Sequence, residues 1–276
     1  MRERAISAVV IAVVVIAFFL AGQPWLTFGI AALSLVAAIE AFRLLPPAGF
    51  PVQMLPGVLL PPILVLAMGL DIVDAGWVAV YSAAVLVILA VDAFRRPEVR
   101  DGFLVWVGGS FGAIYASMLA FMAAILVAAP DIPDDAVLHG FFSAGQTWLL
   151  VLVLTVWSFD TFAYLSGRTF KKGRFLNHIS PNKTWSGVIG GTVAAMIVGG
   201  ALAWAAGQWL PGGVLMGLIV AIAGQAGDVA ESMLKRTAGA KDSSNLIPGH
   251  GGILDRTDSF LFAAPVVYAY LLIIGA

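Results

Sequence analysis

Apolar residues gather in long runs along this chain, and polar residues fall between them. A helix needs about 20 apolar residues to cross a bilayer, with a range of about 17–25. That window predicts about nine spans, near residues 5–22, 25–42, 54–70, 76–92, 103–129, 147–167, 185–206, 212–230 and 258–275. Pro46-Pro47, Pro56 and Pro61-Pro62 interrupt the region from the second to the third run and predict a kinked or partly re-entrant segment there. The first run follows Met1-Arg2-Glu3-Arg4 and exceeds the roughly 7–15 residues of a signal-peptide core, so it is read as a retained span. No repeat, low-complexity tract or soluble domain separates from the rest. The expected fold class is all-α, a polytopic integral membrane protein.

Composition agrees. The chain of 276 residues is 61% hydrophobic and 11% charged, where a soluble domain has roughly 45–50% apolar and about 25% charged residues. It contains no cysteine, which excludes disulfides, thiolate metal sites and cysteine nucleophiles. Charge then sets an expected orientation. With the N-terminus in the cytoplasm, nine crossings place loops 1–4, 43–53, 93–102, 168–184 and 231–257 inside, and these hold all 15 Lys and Arg. The opposite loops hold Asp71, Asp74, Asp131, Asp134 and Asp135 and no cation. Cytoplasmic loops are enriched in Lys and Arg, so the C-terminus is expected outside, and chemistry on the cytoplasmic face.

The densest polar stretch runs from Gly227 to Ser259. It holds five carboxylates (Asp228, Glu231, Asp242, Asp255, Asp258), four cations (Lys235, Arg236, Lys241, Arg256) and His250. Ionisable groups at a membrane edge are rarely present without a partner or a task. On a helix Asp228, Glu231, Ser232 and Lys235 share one face; a local Glu231–Lys235 pair is the plain alternative. Pro248-Gly249-His250-Gly251-Gly252 is too glycine-rich for a helix and can lay backbone N–H groups against an anion. Asp255 and Asp258 then open the last helix one turn apart, where acids also serve as caps. Carboxylates beside glycine-rich backbone and several cations suit a Mg²⁺–nucleotide site. A lone His250 is read as a hydrogen-bonding group.

A second constellation runs from Ser158 to Gly187. Asp160 lies about two helical turns inside the sixth span, a depth at which an acid is expected to face a bundle interior or polar cavity. Arg168, Lys171, Lys172, Arg174 and Lys183 form a basic loop, for which contact with lipid head groups is the plain reading. Ser180-Pro181-Asn182-Lys183-Thr184 fixes a turn and can present donors to a phosphate.

Ser232-x-x-Lys235-Arg236, Lys241-Asp242 and Pro248-x-His250-Gly251-Gly252-x-x-Asp255-Arg256-x-Asp258 together resemble the signature of phosphatidate cytidylyltransferases, the CDP-diacylglycerol synthases. Asp160-Thr161-x-Ala163-Tyr164-x-x-Gly167-Arg168, Ile179-Ser180-Pro181-x-Lys183-Thr184 and Gln225-x-Gly227-Asp228-x-x-Glu231-Ser232 are similar to that family's upstream motifs. Asn182 and Ser186 depart from it, since members often carry a basic residue and Glu there. The specific likeness covers roughly residues 155–260. It implies Mg²⁺-dependent transfer of CMP from CTP to phosphatidate, with release of pyrophosphate. It also implies Asp228 and Asp255 as metal ligands, Glu231 and Asp258 as secondary ones, and room for a second cation. Lys235, Arg236, Lys241 and Arg256 would neutralise the triphosphate, and Lys183 with Ser180 and Thr184 would hold a phosphate-bearing substrate. Asp160, Ser232, His250, Gly251 and Gly252 complete the expected substrate-binding set.

The expected division is an N-terminal helical region, 1–146, and a C-terminal catalytic region, 147–276. Expected partners are CTP, phosphatidate and membrane lipid, with a homodimer allowed and no nucleic acid; the expected location is the inner membrane. One rival is a CTP-dependent polyprenol or phytol kinase of the same superfamily. Another is a transporter using Asp160 and Asp228 as ion sites. The chemistry lies in about the last 120 residues with no counterpart in the first half, against the expectation for transporters built from corresponding halves.

Overall fold

The structure, a computed structural model, describes the backbone of residues 2–52, 54–74, 76–249 and 251–275, and within these all side chains except those of residues 2–6 and 8. Among the described residues ten helices follow one another: α1 (Arg2–Ala21), α2 (Trp25–Leu44), α3 (Met54–Gly69), α4 (Trp77–Ala93), α5 (Val99–Ser117), α6 (Ala120–Ala128), α7 (Ala144–Phe170), α8 (Trp185–Ala205), α9 (Leu210–Thr237) and α10 (Leu254–Gly275). Every predicted apolar run is helical. Among the described residues six stretches are long and apolar enough to cross a membrane: α2, Val99–Ala128, α7, α8, α9 and α10. Val9–Ala21, α3 and α4 are shorter apolar helices. At about 1.5 Å per residue, α3 and α4 fall several Å short of a hydrocarbon core of about 30 Å. The chain is a polytopic membrane protein.

Three boundaries differ from the sequence reading. The fifth run breaks into α5 and α6 at Met118-Leu119, where the N–H groups of Phe121 and Met122 bond carbonyls only three residues back. α9 continues through the charged stretch to Thr237, because no breaker intervenes before Gly239, whose φ of 69° closes the helix. α10 begins at Leu254, four residues early, since its first turn is capped by carboxylates described below.

The chain forms two compact units: Met1–Ala124 with Met233–Leu261, and Ile125–Ser232 with Phe262–Ala276. In the first, Phe42 of α2 is wholly buried against Gly57 of α3 and Gly112 of α5. A Cβ on Gly57 would sit 2.0 Å from the Phe42 ring, so the ring's place depends on that glycine. This packing fixes the end of α2 and with it Glu40. In the second unit α8 lies along α7 on a glycine face. A Cβ at Gly191 would meet the Phe159 carbonyl at 2.8 Å, and one at Gly217 of α9 the Ala195 carbonyl at 2.3 Å. Small residues of this kind let membrane helices approach closely. Ile189, Val193 and Ile197 of α8 remain exposed, an apolar surface suited to lipid.

Candidate active site

In the first unit the polar stretch is organised by two buried carboxylates. Asp255, on the first turn of α10, accepts from Lys235 Nζ at 2.5 Å through Oδ1. Its Oδ2 accepts from Ser243 N at 2.8 Å, Ser243 Oγ at 2.7 Å and Gly252 N at 2.8 Å. Lys235 and Asp255 are both about 8% exposed. Burying such a pair is offset only when the remaining donors and acceptors are satisfied, and here the carboxylate is.

Glu40 of α2, 2% exposed, is the second. Its Oε2 accepts from Leu254 N at 2.7 Å and Ser243 Oγ at 3.1 Å; its Oε1 accepts from Ser244 Oγ at 2.6 Å and Ile253 N at 3.2 Å. A carboxylate at a helix N-terminus satisfies orphan N–H groups and meets the positive end of the helix dipole. Gly252 sits in the angle between these groups, and a Cβ there would lie 2.2 Å from Ser243 Oγ and 2.5 Å from Glu40 Oε2. Only glycine fits.

The loop between α9 and α10 encloses a cavity of about 460 Å³ lined by Lys241, Asp242, Asn245, Pro248, Gly251 and Arg256, among others. Gly249 and Gly251 have φ of 74° and 81°, the left-handed region that glycine adopts without penalty. Ile247 N bonds the Gly251 carbonyl at 2.8 Å and closes the turn. Lys241 and Arg256 are exposed. Arg236 instead donates to the Ala240 carbonyl at 2.9 Å, tying down the end of α9. From α1, Ser7 Oγ donates to the Pro248 carbonyl at 2.8 Å.

In the second unit Lys183 Nζ lies 2.7 Å from Asp228 Oδ2, and Ser232 Oγ donates to Asp228 Oδ1 at 3.4 Å. The segment from Lys171 to Trp185 folds back on itself. Phe175 N bonds the Lys183 carbonyl, Trp185 N bonds the Gly173 carbonyl, and the Phe175 and Trp185 rings meet edge-on at 4.7 Å. Thr184 caps α8, its Oγ1 accepting from Gly187 N at 3.1 Å. Ser180 is half-buried in the turn, its carbonyl accepting from Lys183 N at 3.3 Å.

The structure therefore joins Lys235 with Asp255 and Lys183 with Asp228, and lines one cavity with Lys241, Arg256 and Gly251. Glu231 is fully buried on α9. Asp258 is half-buried, and its Oδ1 accepts from Ser259 N at 2.7 Å. Asp160 stands on an exposed part of α7. His250 lies outside the described residues. The sequence reading missed Glu40 and Ser243. The available signal was a single acid inside an otherwise apolar span.

Whether these residues suit a divalent cation can be tested on the donor set. Among the described residues no group of three or more His, Cys, Asp or Glu side chains converges. Mg²⁺ does not require one: it is usually held by one or two carboxylates, with waters and substrate phosphates completing its shell. Asp228 and Asp255 each already hold an ammonium, Lys183 and Lys235 respectively, at a carboxylate oxygen. Each ammonium occupies an oxygen of the kind a hard metal ion uses; Asp255 Oδ2 already takes three further donors, so of the two it is Asp228, whose side chain is 34% exposed, that has room for a cation.

The comparison with protein families decides the relationship. The model of the cytidylyltransferase family matches residues 2–274. This chain belongs to that family. It is 44% identical over 138 residues to a phosphatidate cytidylyltransferase of Brucella abortus, covering 49% of this chain and 50% of that protein. Proteins of the same name from Synechocystis sp. and Bacillus subtilis are 45% identical over 133 residues and 42% identical over 129. These matches cover 46% of this chain each, and 45% and 48% of the two relatives. The chain thus spans about half the length of the curated cytidylyltransferases it matches.

Proposed function

We propose that this protein transfers the cytidylyl group of CTP to phosphatidate, forming CDP-diacylglycerol and pyrophosphate at the cytoplasmic face of the inner membrane. The observation that carries this reading is the glycine-turn cavity lined by Lys241 and Arg256, beside the buried Lys235–Asp255 pair, in a member of the cytidylyltransferase family. A phosphate oxygen of phosphatidate attacks the α-phosphorus of CTP, the bond from that phosphorus to the bridging oxygen breaks, and pyrophosphate leaves with its electron pair. The nucleophile is already anionic near neutral pH, so no general base is assigned. The catalytic demand is positioning and charge stabilisation.

Lys241 and Arg256 line the cavity and supply positive charge for the triphosphate and departing pyrophosphate, with the N–H groups of the glycine turn as further donors. Arg236, bonded to Ala240, steadies the entry to that loop. Lys235, held by Asp255, is a fixed positive charge. In the second unit Lys183, with Ser180 and Thr184 beside it in the chain, is assigned to a substrate phosphate, and Asp228 holds its ammonium in place. Bound Mg²⁺ would supply Lewis-acid stabilisation of phosphate charge; in the second unit Asp228 would offer it carboxylate oxygen, with Glu231, one helical turn on, as a further acid.

The test is transfer of label from CTP in lipid vesicles containing phosphatidate and Mg²⁺. Appearance of α-label in lipid together with free pyrophosphate supports the reading. Entry of γ-label into an added polyprenol instead makes the protein a kinase and overturns it.

A further inference from the structure

We infer that Glu40, in the second helix, is a positioning residue for the nucleotide-facing loop. The inference deepens the function proposed above and rests on it. Glu40 lies more than 200 residues from every group it binds: Ser243, Ser244, Ile253 and Leu254. Those four groups bracket the loop that lines the cavity, two at its beginning and two at its end. Both carboxylate oxygens are used, each by one hydroxyl and one backbone N–H, so one rigid planar group fixes the separation of the loop's two ends.

Asp255 adds a second bracket of the same kind from within the loop, holding Ser243 and Gly252 while pairing with Lys235. Ser243 Oγ lies within bonding distance of both carboxylates, 2.7 Å from Asp255 and 3.1 Å from Glu40. It has one proton to give. The two acids are therefore held close by donors placed between and around them, and loss of either shifts the donors of the other. Between the bracketed ends lie Asn245 and the glycine turn; Lys241 comes just before the first end and Arg256 just after the second. The hydrogen bonds of Glu40 run to Ser243, Ser244, Ile253 and Leu254 and not to the cavity-lining side chains named above, so it acts on CTP through the loop.

Glu40→Gln keeps the side chain's size but replaces one acceptor oxygen with a donor that faces the hydroxyl and N–H on that side. The expected result is an approximately tenfold rise in KM for CTP, in the range typical of groups that orient a site from behind, with KM for phosphatidate unchanged. A variant that is merely less well folded lowers Vmax in proportion to folded protein and moves neither KM; that result overturns the inference. Gly252→Ala is the second variant. Its methyl group displaces the Glu40 carboxylate and Ser243 without altering a charge, and it is expected to reproduce the CTP-selective effect.

Hydrogen exchange of the intact protein in nanodiscs, with neither substrate present, separates this inference from the functional reading. Faster exchange at Gly252, Ile253 and Leu254 in Glu40→Gln is expected; unchanged exchange refutes the bracket. Wild-type protein that transfers no cytidylyl group defeats the functional reading, and with it Glu40's role toward CTP, leaving the bracket to stand or fall on exchange.

Discussion

Neutralising Asp255 is the sharpest test of how the site is held together. In Asp255→Asn the Lys235 ammonium loses its counter-charge in a setting where the two side chains are only 11% and 4% exposed. The amide also cannot serve all of the present donors. If its oxygen faces Ser243 and Gly252, its NH₂ is turned toward the ammonium; if it is flipped, two backbone N–H groups lose their acceptor. Breaking a buried pair by removing one partner costs about 3–5 kcal/mol, and Lys235→Met falls in the same range for the converse reason. The double variant Lys235→Met/Asp255→Asn removes both charges. Its cost is expected to fall about 1–3 kcal/mol below the sum of the single effects, the coupling typical of residues in contact. SDS titration of the protein in mixed micelles, followed by tryptophan fluorescence, measures all three. Effects that add to within about 0.5 kcal/mol would show that the two groups do not depend on each other, and the account of the site given above would be wrong.

Three further outcomes are expected. Phe42→Ala empties the space between α2, α3 and α5 and should destabilise the fold by about 3–5 kcal/mol, read by the same titration. Thr184→Ala removes the α8 cap and should cost about 1 kcal/mol, with Thr184→Ser restoring most of it. Arg256→Ala, at an exposed cation of the cavity, should leave the unfolding midpoint within error while raising KM for CTP at least tenfold, a loss of about 1.4 kcal/mol in binding, measured by label transfer at varied CTP.

Much of this was legible in the sequence because membrane helices announce themselves by length and apolarity. The runs near 25–42, 185–206 and 258–275 match α2, α8 and α10 to within a few residues. The charged stretch from Gly227 to Ser259 was legible because charge is scarce elsewhere. What was not legible is pairing over distance. Helical spacing suggests Glu231 as a partner of Lys235 but cannot show Asp255, 20 residues on, which the fold brings to the same ammonium. Glu40 has Arg43 three residues away, which offers a local account of an acid in a span; only the fold sends its carboxylate to residues 243–254. Ser243 reads as one of several loop hydroxyls until it is seen between two acids. In each case local periodicity governs what the chain can form alone, and tertiary closure decides which polar group meets which.

The distance between Glu40 and its partners also orders biogenesis. α2 is synthesised and inserted more than 200 residues before Ser243 and the first turn of α10 exist. Throughout that interval its acid has none of the four donors that hold it in the finished protein, and an ionisable group in a membrane helix is costly without partners. The clamp closes only when α10 arrives. A nascent chain stalled before that point holds Glu40 in its membrane helix without the donors that neutralise its cost.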